Sequence, residues 1–139
     1  MKKIILFVTL ILFGASVGLA QKKMYEPKKG SAERVAVLDA IRVYDVERNS
    51  DLKGETFDVS HLRVQGNWAF VSVERSNLPE AGQGTHLAFL RKSGAAWKLM
   101  WSDYNDKDEV GGEVLTRLRK KYKDFYKELA VFAESMLAG

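Results

Sequence analysis

The apolar residues of this chain change their period twice, and the order of those changes fixes the class of fold open to it. Over residues 31–48 they recur at helical spacing: Val35, Leu38 and Ile41 make one row, and Val37, Ile41 and Tyr44 a second, so the apolar face is broad. Ser31 stands where an N-cap is needed, and Glu33 in the first turn suits the helix dipole. Asp39, Arg42 and Glu47 fall toward the other side, and Asn49-Ser50-Asp51 with Gly54 ends the helix. Over residues 55–102 the period becomes two. Phe57 and Val59 alternate with polar neighbours, whereas Leu62 and Val64 lie on the opposite parity, which predicts a bulge near Ser60-His61 or two short strands. Residues 68–73 (WAFVSV) are apolar on both parities, as in a central strand covered on both sides. Gln65-Gly66-Asn67 reads as a tight turn, residues 77–84 as a turn-rich loop, and Ser93-Gly94 as the hairpin joining 87–90 to 96–101. In that last strand Trp97, Leu99 and Trp101 are expected on one face. Over residues 113–137 helical spacing returns, with a kink or split expected between Tyr122 and Phe125.

Strands joined by short connections pair antiparallel, because a parallel pair needs a long crossover. The expected fold is therefore α+β: an N-terminal helix, about four antiparallel strands and a C-terminal helix. The two helices are expected to cover one face of a curved sheet, in cystatin-like or NTF2-like style. No repeat or low-complexity segment is visible.

Ahead of this pattern, Lys2 and Lys3 precede an unbroken apolar run at residues 4–13, and small Gly18 and Ala20 occupy the −3 and −1 positions of a cut before Gln21. Residues 1–20 read as a cleavable secretory signal peptide, since the run is short of the ~20 apolar residues of a spanning helix. An uncleaved anchor is the alternative. The chain has no cysteine, so neither an N-terminal lipid nor a disulfide is available to it. Residues 21–30, polar and rich in lysine, are expected to be a flexible leader, and 31–139 a single domain in the periplasm or outside the cell. Cleavage would leave 20 basic residues against 18 acidic ones, so the high pI of about 9.3 overstates the case for nucleic acid as a partner.

Leu38-Asp39-Ala40-Ile41-Arg42, Phe57-Asp58-Val59, the run Leu62-Arg63-Val64-Gln65-Gly66-Asn67-Trp68-Ala69-Phe70-Val71, and Phe89-Leu90-Arg91-Lys92 with Trp97 and Leu99 resemble a family of small exported bacterial proteins. Its members carry an LLDALR helix, an LRVxGxWAF hairpin and a second hairpin with LLR and a tryptophan. The resemblance spans residues 34–102 and implies an exported α+β domain. It brings no catalytic residues. The loop at 77–84 is shorter, and the C-terminal helix longer, than the family pattern.

The residues that could carry chemistry are few. His61 and His86 lack the short spacing of metal ligands, and no metal or other cofactor is expected. Ser60 or Ser72 with either histidine makes no nucleophile elbow, so no catalytic residue is assigned and no enzyme is expected. Asp103, Asp106, Asp108 and Glu109 fail the calcium-loop spacing in either register and read as a solvated turn. Gly82-Gln83-Gly84 and Gly111-Gly112 lack the ending of a phosphate cradle. Two candidate surfaces remain. Tyr44, His61, Trp68, Phe70, His86, Phe89, Trp97 and Trp101 are the candidate pocket or interaction residues, and Arg117, Arg119, Lys120, Lys121 and Lys123 the candidate basic surface.

Three functional classes follow. The first is a non-enzymatic binding domain for an envelope or extracellular protein or a small molecule. The second is an NTF2-like small-molecule pocket, with or without catalysis. The third is an envelope accessory protein held by an uncleaved N-terminus.

Overall fold

Helix α1 (Ala32–Arg48) starts where the sequence supplies its cap: the Ser31 hydroxyl accepts from the Arg34 backbone N–H at 3.3 Å. The computed structural model describes residues 22–76 and 84–138 apart from 105, 107 and 110; the signal-peptide reading of 1–20 and most of the expected loop at 77–84 lie outside them. A short 3-10 turn, Ser50–Leu52, leads to four strands, β1 (Phe57–Gln65), β2 (Trp68–Arg75), β3 (Gly84–Ser93) and β4 (Ala96–Ser102). They form one antiparallel sheet in the order β1-β2-β3-β4. Helices α2 (Gly111–Lys121) and α3 (Lys127–Leu137) follow, so the C-terminal helix is split at the expected place.

Two bulges decide which side chains meet. In β1 the register slips between Val59 and His61, so Phe57, Val59, Leu62 and Val64 all pack with the cluster under α1 despite their change of parity. In β4 a slip opposite Phe89/Leu90 returns Trp101 to the other face from Trp97 and Leu99. The expectation that these three share a face is thereby corrected.

The helices do not share one face of the sheet, as expected, but take one face each. Val37 and Ile41 of α1 pack on Leu62, Val64, Ala69, Val71, Val73, Ala88, Leu90 and Trp97. On the reverse face Trp68, Phe70, Phe89 and Trp101 meet Val114, Leu115 and Leu118 of α2 with Leu129, Ala130 and Ala133 of α3. The double-parity apolar run of β2 is the reason: both of its faces need cover, and one helical layer supplies only one.

The leader is also corrected. Residues 22–27 lie along β1 rather than forming a free tether. Tyr25 exchanges two backbone hydrogen bonds with Val64 (2.9 and 2.8 Å), Pro27 is buried, and Glu26 pairs with Arg63 and Arg34. Gln65, wholly buried at the end of β1, ties three segments together. Its Nε2 donates to the Lys22 carbonyl (2.8 Å) and to Glu128 (3.0 Å), while its Oε1 accepts from the Leu129 N–H (3.1 Å). Tyr126, the α3 N-cap, makes no side-chain cap bond, so Gln65 satisfies from β1 a donor that α3 leaves open. Gly66 next to it has φ +57°, and a Cβ there would stand 2.5 Å from the Tyr126 hydroxyl.

Candidate functional site

Of the aromatic candidates for a pocket wall, Trp68, Phe70, Phe89 and Trp101 are 2 % exposed or less and pack on one another and on α2 and α3. They fill the core instead of lining a cavity. His61 lies on the α3 face against Phe132, and His86 on the α1 face against Tyr104, so the two histidines are separated by the sheet. Register places Ser72 opposite His61, and the His61 Nδ1 is buried with no hydrogen-bond partner among the described residues. Among the described residues no group of three or more His, Cys, Asp or Glu could hold a metal ion.

Of the basic candidates, Arg117, Lys120 and Lys121 line an open groove of about 900 Å³ along α2, and of the aromatic ones Tyr44 and Trp97 share a surface groove. With Ala40, Val43, Glu47, Lys98 and Leu99 they line a groove of about 410 Å³ between α1 and β4. Val43, on the outer side of α1, is 59 % exposed. Strand β4 is the last in the sheet, and among the described residues no strand pairs with its outer edge. Tyr44 is held by the Arg48 guanidinium 3.4 Å from its ring centre, and burial raises its hydroxyl above the usual value.

Beside Tyr44 on the helix, Asp45 points into the protein, and here the structure holds a charge cluster that the sequence reading missed. Asp45, Glu55 and Arg75 are all buried, and Arg75 joins them, with Nη2 on Asp45 and Nε on Glu55. The guanidinium lies 4.4 Å from the centre of the Tyr104 ring. Burial pushes the Glu55 carboxyl up to about 7, with Arg75 opposing the rise and Asp45 adding to it. Two carboxylates on one guanidinium leave a surplus negative charge indoors, and taking up a proton removes it. Asp103, nearby, is also raised by burial, against the hydrogen bond its Oδ1 accepts from the Leu87 N–H (2.9 Å).

This cluster has a pH signature. Between about pH 4.5 and 7 the folded protein keeps a proton on Glu55 that the unfolded chain has released. Its share of stability is therefore full below that window and falls as pH rises through it. The urea midpoint is expected to drop from pH 5 to pH 8, and Glu55→Gln, which still offers Arg75 an acceptor, should flatten the drop. An unchanged slope in the variant would place the titration elsewhere.

The acidic turn after β4 is internally used rather than merely solvated. Asp106 accepts from the Ser102 N–H (3.0 Å), and Glu109 forms a two-point pair with Arg117 (2.7 and 2.8 Å). Arg117 is thus occupied, while Arg119, Lys120, Lys121 and Lys123 are exposed. No helix among the described residues is long and apolar enough to cross a membrane. No family model, curated protein or solved structure matches the chain.

Proposed function

We propose that this domain is a binding module without turnover chemistry, and that it takes an extended segment of a partner protein along β4. The observation that carries the reading is the groove beside an open sheet edge. The opposite edge shows the same mode at work, since the chain's own Tyr25 adds to β1 through paired backbone bonds. An added strand at β4 would satisfy that edge's backbone, and its alternate side chains would fall between Val43, Tyr44, Trp97 and Leu99. The other face of the added strand would meet exposed Lys98. This lysine disfavours pairing of two β4 edges and suits an acidic residue. The partner segment is therefore alternately apolar and acidic. The sequence of residues 1–20 supports placing this activity beyond the inner membrane.

Fluorescence polarisation with labelled octapeptides of alternating valine and aspartate, or valine and lysine, tests the reading. The acidic series should bind, and Val43→Asp, a change at an exposed position, should weaken it by about tenfold or more. Equal binding of both series, or indifference to Val43→Asp, overturns it. So does a dimer that Val43→Asp dissociates, because the groove would then belong to a second copy.

A further inference from the structure

Charge in this domain is sorted along the strand direction. The β1–β2 and β3–β4 turns lie at one end of the sheet, as the register Gln65↔Trp68 and Ser93↔Ala96 requires. The same end receives the close of α2 and the start of α3: Trp68 stands edge-on to Tyr122 (5.2 Å), and Gln65 caps α3. The chain joins the fold there too, because the Lys22 carbonyl is held by Gln65.

Lys22, Lys23, Lys92, Lys121, Lys123 and Lys127 gather at this end, and all but the half-buried Lys92 are exposed. None of the six forms an ion pair among the described residues. The nearby acids are engaged elsewhere, Asp124 with Arg91 (3.0 Å) and Glu128 with Gln65. At the far end lie the acidic turn of Asp103, Asp106, Asp108 and Glu109, where Glu109 pairs with Arg117, and the buried Asp45 and Glu55 on Arg75, with exposed Lys53 near them. The formal net charge of +4 is thus unevenly spread, with a basic pole and an acidic pole.

A second observation says what the basic pole meets. The apolar stretch at residues 4–13 is joined to the fold at Lys22, within that pole. In the alternative reading, in which residues 1–20 stay uncleaved as an anchor, this stretch would hold the basic pole at the lipid headgroups. Two half-buried tyrosines, Tyr122 and Tyr126, stand at the same end, the residue type favoured at that depth.

We propose that the basic pole docks on an anionic phospholipid surface, with the acidic pole turned away from it. The proposal does not depend on the groove at β4. Each lysine near a negatively charged leaflet adds to the attraction, and the sum is screened by salt.

The test is sedimentation of the full chain with vesicles of phosphatidylcholine alone or with one-third phosphatidylglycerol. The apolar stretch contributes to both, so the reading is the ratio between them. That ratio should be about tenfold or more at low salt and fall toward one at 0.5 M salt. Lys121→Glu/Lys123→Glu/Lys127→Glu should abolish most of it, whereas Lys53→Glu, outside the basic pole, should not. The triple Lys→Gln form, checked for an unchanged melting temperature, should give an intermediate ratio. A ratio near one for the natural chain, a ratio unaffected by the triple reversal, or equal loss with Lys53→Glu overturns the proposal. Binding that glycerol phosphate or polyglutamate removes as fully as salt does also overturns it, since any soluble anion would then serve.

Discussion

Replacing Arg75 with methionine should destabilise the domain by about 3–5 kcal/mol at pH 8, the loss that follows when one member of a buried ion network is removed. Methionine keeps much of the volume but removes the guanidinium that Asp45 and Glu55 share. At pH 5 the loss should be smaller, because the raised Glu55 carboxyl already carries a proton and the stranded pair then holds one charge fewer. Urea denaturation at the two pH values measures both effects. A further variant, Asp45→Leu/Glu55→Met/Arg75→Met, should recover most of the loss, because an apolar replacement of the whole network has no charge left to desolvate. If Arg75→Met left the midpoint unchanged, the carboxylates would have to be hydrated rather than buried.

Trp68→Ala is expected to cost a similar amount, about 3–5 kcal/mol, for a different reason. The indole is fully buried where β2 begins, and its ring meets Tyr122 and Phe125 edge-on, with centroids 5.2 and 4.8 Å away. The Arg91 guanidinium stands 5.7 Å from the same ring. Removing it opens a cavity under the link between α2 and α3. Trp68 and Arg75 lie on opposite faces and opposite ends of β2, so the two losses should add. The Trp68→Ala variant should also retain the pH slope of Glu55. A wild-type melting temperature for this variant would mean that the indole is not in the core.

These two residues show where the sequence was readable. Trp68 opens a run that is apolar on both parities, and such a run demands cover on both faces, as the structure provides. The bulge at Ser60 was equally visible, because apolar residues that change parity within one strand stay on one face only if an extra residue is inserted between them. The second bulge was not, since residues 99–101 (LMW) are apolar throughout and alternation carries no information there. One covered face, the common arrangement for an antiparallel sheet, does not fit here because β2 is apolar on both parities and needs cover on both. The charge cluster leaves a trace in the sequence. Asp45 lies four residues past Ile41 on the apolar stripe of α1, and Arg75 continues the α1-facing parity of Val71 and Val73. Charged residues of opposite sign on two faces bound to meet are the signal of a buried pair. The aromatic candidates divided on the same grounds: large aromatics in strand interiors became core, and Tyr44 and Trp97, at the seam between a helix and an edge strand, line a groove.

The reach of Gln65 bears on the order in which the chain acquires its structure. The residues it joins, Gln65 and Leu129, are 64 positions apart, and Tyr126 gives α3 no side-chain cap of its own. The last helix therefore gains its cap only after the β1–β2 hairpin exists to present it, which makes the C-terminal layer a late, non-local step. Until that step, Trp68, Phe70, Phe89 and Trp101 lack the part of their cover that α3 supplies through Leu129, Ala130 and Ala133. A chain emerging N-terminus first completes its α1 side early and spends the interval before α3 arrives in its most aggregation-prone form.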